Sequence, residues 1–302
     1  MSLERLANLS RSIGCDVKEN ANMSELTSFR IGGPADLLIT ADNPEQVLQV
    51  RRFCAELGVP LLFIGNGTNL LVSDKGIRGA VLRLDGKNAK PEIRDGLVLC
   101  HAGVPLKTLC RFARDNGLSG LEFGYGIPGT VGGAVYMNAG AYGGQVSDVI
   151  VWADAVFPDG EIKRLSRDEM QLGYRKSAFM ESKAIVVAAA FKLNPDDPKA
   201  IGGRMEEFMR LRREKQPLEY PSAGSFFKRP EGHFAGALID NCGLRGFSVG
   251  GAQVSSKHCG FIINAGNATC SDVLSLAEKV ADIVYSKFGV KLEREVCFVG
   301  EE

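Results

Sequence analysis

Histidine is nearly missing from this chain: its 302 residues include three, His101, His233 and His258. Eight cysteines are present, Cys15, Cys54, Cys100, Cys110, Cys242, Cys259, Cys270 and Cys297, but no two are spaced C-x-x-C. Zinc-type spacing is therefore absent, and no metal site is expected. Scattered cysteines suit a reducing, cytoplasmic compartment. An excess of one charge sign is also lacking, since 36 basic and 36 acidic residues give a formal net charge of zero. A nucleic-acid scaffold normally carries a basic surplus, so no nucleic-acid partner is expected. No segment approaches the ~20 consecutive apolar residues that span a bilayer, and membrane insertion is not expected. The opening "MSLERLANLSRSIG" lacks an apolar h-region, so it is not expected to be a signal peptide. There is no repeat of fixed period and no low-complexity tract.

Hydrophobic residues make up 45% of the chain, enough for a real core and, at this length, for two or three lobes. "ADLLIT" and "PLLFI" read as strands around "NPEQVLQVRRFCAELG", a helix capped by Asn43, started at Pro44 and stopped at Gly58. Val47, Val50, Cys54 and Leu57 form its apolar face, which makes a βαβ unit. "AVLRL" and "LVLCHAG" are further strands, and "PLKTLCRFARDNG" is a helix with Leu106, Leu109, Cys110 and Ala113 inward. "VSDVIVWADAVFPDGEIKRL" reads as a hairpin turning at Pro158-Asp159-Gly160. After the apolar strand "AIVVAAAFKL", "NPDDPKA" marks a boundary before the helix "IGGRMEEFMRLRREKQP". "FSVGGAQV", "FIINAG" and "KLEREVCFVG" read as strands. "SDVLSLAEKVADIVYSKFG" reads as a helix with Leu274, Ala277, Ala281, Val284 and Phe288 inward and Gly289 as its stop.

Glycine is abundant, with 36 residues gathered into a few loops. One is "GNGTNLLVSDKG", Gly65 to Gly76, directly after a strand; another is "GYGIPGTVGGAVYMNAGAYGG", Gly124 to Gly144. Neither is a G-x-x-x-x-G-K-[ST] phosphate loop, which disfavours a P-loop phosphotransferase, and Leu70 breaks a G-x-G-x-x-G pattern. Taken alone, the first loop could be an ordinary turn. Two loops rich in small residues can make anion-binding nests of backbone N–H groups, and the pair suits a ligand with a central pyrophosphate.

"TSFRIGGPAD", "GNGTNLLVSD", "GIPGTVGGAVYMNAGAYG", "GYRKSAF", "AGSFFKRP" and "LEREV" occur in this order, and together they resemble the UDP-N-acetylenolpyruvoylglucosamine reductase family of flavoenzymes. The resemblance covers about Asn22 to Gly300. It implies an α+β chain: an FAD-binding fold of the vanillyl-alcohol-oxidase (PCMH) type in two α+β subdomains, residues 1–84 and 85–198. A C-terminal α/β substrate-binding domain, 199–302, would follow, its final strand either staying there or returning to the FAD domain. FAD would be non-covalent, since neither loop carries His or Cys. Gly65, Asn66, Gly67, Thr68 and Asn69 would wrap its pyrophosphate, with Thr68 and Asn69 also donating from side chains. Gly126, Ile127, Pro128, Gly129, Thr130, Gly132, Gly133, Ala139 and Gly140 would approach from the other side.

The reaction implied belongs to early peptidoglycan synthesis, and so to wall growth, cell shape and division. NADPH reduces FAD and leaves; UDP-N-acetylglucosamine enolpyruvate then takes hydride from flavin N5 at C3 and a proton at C2. Arg175 would hold the substrate carboxylate, Glu295 would carry or share a proton beside the enolate, and Ser225 would protonate C2. Burial and the substrate carboxylate would raise the Glu295 pKa. Lys228 and Arg229 are candidate diphosphate or carboxylate contacts, although the family often has Lys-Asn-Pro where this chain has Lys-Arg-Pro. Tyr174 would either line the pocket or pack in the core. His258, with Lys257, would either reach the substrate or lie in a surface loop, and Arg30 would support FAD or the fold. Only "NPDDPKA" stands where some members insert a tyrosine-bearing lid, so the chain resembles the shorter class. A monomer acting on a small molecule is expected. An FAD-linked oxidase and a non-enzymatic nucleotide-sugar binder are the alternatives.

Overall fold

In the computed structural model, which describes residues 1–301, Pro44–Leu57 forms the helix that its sequence predicts. The Asn43 side chain accepts from the Gln46 amide at 2.9 Å, and Gly58 ends the helix at φ 65°. Glycine reaches that left-handed conformation at little steric cost. Val47 and Val50 are fully buried, worth roughly 1.5–3 kcal/mol each.

The chain divides into two units, neither of them one continuous stretch. The first comprises Met1–Glu19, Asp36–Asn66 and Gly79–Leu211; the second comprises Asn20–Ala35, Gly67–Arg78 and the chain from Arg212 onward. Each has its own apolar core.

The four-stranded sheet of the first unit has the order Asp16–Asn22, Pro34–Ala41, Ile77–Leu84, Leu61–Ile64. The strands joined by the Pro44–Leu57 helix are thus separated by a third, Ile77–Leu84, which runs parallel to Leu61–Ile64. A five-stranded sheet has the order Ile162–Ser166, Ile150–Val156, Ile185–Phe191, Leu97–His101, Glu92–Arg94, antiparallel throughout. Its central strand is the apolar run expected, with six of seven residues buried. The hairpin turns where predicted, with Val156 opposite Ile162 and Gly160 at φ 80°. Val146–Asp148, read as the start of that strand, instead forms a short 3₁₀ turn, because Asp148 accepts from the Gln145 amide at 2.9 Å and closes it. Helix Leu106–Asp115 buries all four residues assigned to its inner face. Helix Pro198–Lys215 starts three residues before its expected Ile201, with the Asp197 carboxylate accepting from the Lys199 amide in its first turn.

In the second unit, a four-stranded antiparallel sheet has the order Ser222–Ser225, Phe261–Asn264, Ala252–Val254, Ser248–Val249. "FSVGGAQV" is therefore a hairpin, not one strand, because Gly250 takes φ 53° and reverses the chain. The helix Cys270–Phe288 is capped by a reciprocal Thr269–Asp272 pair and stopped by Gly289 at φ 68°. Its buried face is Cys270, Val273, Leu276, Ala277, Val280 and Val284, which rotates the predicted face. Leu274 and Ala281 flank that face, and Phe288 is exposed. Asp74 accepts from the Cys270 and Ser271 amides at 2.7 and 3.1 Å, pinning a separate chain segment to the helix start. Of "KLEREVCFVG", only Cys297–Val299 is a strand, paired in parallel with Leu70–Val72.

Candidate active site

Two glycine loops meet within the first unit. Gly65 ends the strand Leu61–Ile64, and a Cβ there would lie 2.6 Å from Thr130 Oγ1. Asn66 Nδ2 donates to Pro128 O at 3.1 Å, tying the loops together. Thr130 Oγ1 accepts from the Gly133 amide at 3.2 Å, and the Gly132 amide donates to Ala102 O at 2.8 Å. A Cβ on Gly132 would fall 2.8 Å from Ala102 Cβ. Gly65 and Gly132 are therefore small for protein packing, a reason the sequence reading had set aside. The amides of Asn66, Gly126 and Gly129 donate to no protein atom among the described residues. Those donors, on loops already drawn together, fit the pyrophosphate of FAD.

In the second unit, Gly67 is at φ 60° and a Cβ would lie 2.3 Å from Leu26 O. Its carbonyl accepts from the Ser28 amide at 3.2 Å. Asn69, expected to donate to the cofactor, donates through Nδ2 to Glu295 O at 3.2 Å, and its own carbonyl accepts from the Cys297 amide at 3.0 Å. It thus braces the segment that carries Glu295.

The segment that directly follows Ser225 pairs with the segment that carries Glu295. The Glu295 amide donates to Phe226 O and the Lys228 amide to Glu293 O, both at 2.8 Å, with Phe227 opposite Arg294. Phe226 and Phe227 are buried, edge to face at 5.2 Å between centroids. They anchor the segment and leave Ser225 exposed and Glu295 half-buried. Lys228 Nζ lies 3.3 Å from Glu293 Oε2, and the Arg229 guanidinium sits 4.6 Å from the Phe234 ring. His258 supports the same ladder. Its Nδ1 accepts from the Gly260 amide at 3.1 Å, while Gly260 O accepts from the Phe226 amide at 2.8 Å. Burial pushes the imidazole pKa down, so the ring is held neutral with its proton on Nε2.

Arg175 belongs to the first unit. With Tyr174 it forms the tip of a tight turn in which Gly173 and Lys176 exchange backbone hydrogen bonds of 3.0 and 3.2 Å. Tyr174 is 56% exposed, which removes the core-packing alternative. Two residues that the motif reading passed over hold this turn. Asn138 Nδ2 donates to Gly173 O at 3.0 Å, and Ser177 Oγ donates to Tyr136 O at 2.6 Å. Both residues are buried. The signal lay in "YMNAGAYG", where a lone asparagine stands among small residues.

The cysteines offer no competing chemistry in the cores: burial pushes Cys54 up to about 11 and Cys100 up to about 12, far from a thiolate. Among the described residues, no group of three or more His, Cys, Asp or Glu could hold a metal ion, and no helix is long and apolar enough to cross a membrane.

Residues 216–299 match the C-terminal domain of UDP-N-acetylenolpyruvoylglucosamine reductase, and residues 35–166 match an FAD binding domain. A UDP-N-acetylenolpyruvoylglucosamine reductase of Clostridium botulinum (strain Eklund 17B / Type B) is 49% identical over 95% of this chain and 94% of its own. The chain belongs to the UDP-N-acetylenolpyruvoylglucosamine reductase family. Another reductase, from Syntrophomonas wolfei, is 47% identical over 95% of this chain and 96% of its own. The crystal structure of the Thermus caldophilus reductase superposes with a TM-score of 0.79 at 36% identity, covering 94% of this chain and 98% of that one. As a member of the reductase family, the chain is an oxidoreductase with an FAD-binding domain, and the α+β flavoprotein fold expected from its motifs is the one it has.

Proposed function

We propose that this chain reduces UDP-N-acetylglucosamine enolpyruvate to UDP-N-acetylmuramate with NADPH as reductant, as a cytoplasmic monomer supplying wall precursor for cell shape and division. The observation that supports this reading is the paired backbone between Phe226–Lys228 and Glu293–Glu295, with the exposed Ser225 directly before it. FAD would supply the hydride-transfer chemistry between NADPH and the substrate. Asn66, Gly126 and Gly129 would hold its pyrophosphate by backbone N–H groups, with Gly67 and Thr68 following in the same loop. Residues 1–84 and 85–198 supply the flavin side, and 199–302 the substrate side.

The Arg175 fork binds the substrate carboxylate and neutralises the charge that grows on it as C3 is reduced. Ser225 Oγ–H gives its proton to C2. Glu295 holds a shared proton near the same centre. A serine alone is a weak acid, so its alkoxide needs a stabilising neighbour. Lys228 and Arg229 contact the diphosphate or carboxylate, and the exposed Tyr174 lines the pocket. His258 orders the ladder behind Ser225 and does not itself touch substrate.

A single cuvette tests the proposal. Purified protein with FAD should be yellow, bleach with NADPH under anaerobic conditions, and recover its colour on adding UDP-N-acetylglucosamine enolpyruvate. Recovery with oxygen alone would reassign the chain to an oxidase, and failure to take up FAD would remove the flavin reading.

A further inference from the structure

Arg175 has φ 53°, a left-handed conformation that is sterically unfavourable for a non-glycine residue. The backbone of the turn closes on the Gly173–Lys176 pair. Side chains complete it. Asn138 is 1% exposed and accepts through Oδ1 from the Ser147 amide at 2.9 Å. A backbone N–H can only donate and a backbone carbonyl can only accept, so the amide orientation is fixed: Oδ1 faces Ser147 and Nδ2 faces Gly173 O. Asn138 is itself at φ 41°, and Ala139 and Gly140, which follow it, were assigned to the flavin side. One buried amide therefore ties the segment carrying those residues to the turn carrying Arg175.

We infer that Asn138 is a positioning residue for Arg175, fixing the guanidinium relative to the flavin-side segment through its Nδ2–Gly173 bond. The inference rests on the reading of Arg175 as the carboxylate-binding residue. Asn138 makes no proton transfer and lies out of solvent, so its effect passes through the placement of the turn.

The test is Asn138→Asp, which keeps the acceptor for the Ser147 amide and loses the donor to Gly173. An ionised carboxylate would face the Gly173 carbonyl, while its protonated form can donate again. Asn138 Nδ2 also donates to Gln145 Oε1 at 3.3 Å, so an ionised carboxylate at 138 would face that oxygen too, and Gln145 in turn holds the Asp148 carboxylate. FAD binding and flavin reduction by NADPH should stay near wild type. Reoxidation by UDP-N-acetylglucosamine enolpyruvate should slow on the order of 100-fold at pH 8, the size of effect that a small misplacement produces. Stopped-flow should show this rate recovering towards pH 6, a recovery absent from the wild type. Asn138→Ser, whose hydroxyl is too short to reach Gly173 O, should show the same split between half-reactions without the recovery. Equal loss in both half-reactions, or wild-type reoxidation in either variant, overturns the inference. If Asn138→Asp does not retain FAD, Asn138→Ser decides on the split alone. Arg175→Lys separates the two readings. If it leaves reoxidation intact, the assignment of Arg175 fails; if it slows reoxidation while the Asn138 variants do not, only the positioning role fails.

Discussion

The Arg175 turn and the Ser225–Glu295 ladder present reactive side chains by opposite means. The turn is short, strained and strapped by the buried side chains of Asn138 and Ser177. The ladder is unstrained backbone, with main-chain bonds on both sides and two buried phenylalanines beneath. A ladder tolerates loss of its exposed side chains, because its geometry resides in the main chain. A strapped turn does not, because its geometry resides in particular amides and hydroxyls.

The largest expected effect falls on chemistry at the ladder. Ser225→Ala should slow substrate reduction by roughly 10²–10⁴-fold, the usual range for a lost proton donor. Rapid-mixing kinetics should find flavin reduction by NADPH unchanged, and the melting temperature should hold, since Ser225 is exposed. The turn should fail differently. Ser177→Ala removes the Ser177 Oγ–Tyr136 O hydrogen bond from a part-buried site, which should cost about 1 kcal/mol in denaturant unfolding. A change below a few tenths would place the strength of the turn elsewhere.

Acid should separate the two regions again. The His258 pKa is lowered by burial from its ordinary 6.5, so its contribution to stability is complete above about pH 6.5. It is lost as pH falls towards the depressed folded value, because the unfolded chain takes up the proton first. Protonation also removes the acceptor for the Gly260 amide, whereas the straps on the Arg175 turn contain no titrating group. Amide exchange at Phe226 and Gly260 should accelerate between pH 7 and 5, after correction for intrinsic rates, more than at Gly173. The smallest effect on stability, read by denaturant unfolding, should come from Lys228→Ala. Its pair with Glu293 is solvent-exposed, and such pairs give at most about 1 kcal/mol.

Much of the frame was legible because it is written locally. Asn43, Pro44 and Gly58 bound a helix within sixteen residues, and the four inward residues of Leu106–Asp115 follow helical spacing alone. The misreadings share a cause in tertiary context. Two adjacent glycines inside "FSVGGAQV" could mark a weak strand or a reversal, and pairing with Phe261–Asn264 decided for the reversal. The Cys270–Phe288 helix carries apolar residues on more than half its circumference, so only its neighbours select Val273, Leu276 and Val280 over Phe288. At the site, motif order singled out the two glycine loops, Arg175, Ser225 and Glu295. It gave no sign of Asn69 bracing Glu295 or Asn138 strapping Gly173, because each bond joins residues distant in sequence.

The strand Leu70–Val72 finds its parallel partner in Cys297–Val299, more than two hundred residues later. During synthesis, every residue of the first unit has been made once Leu211 emerges, while the second still lacks most of its core. The segment around Leu71, which is 1% exposed in the folded protein, must therefore wait unpaired for almost the whole of translation. The second unit thus closes only after Cys297–Val299 has been made, and its early segments are the part of the nascent chain most dependent on protection from aggregation.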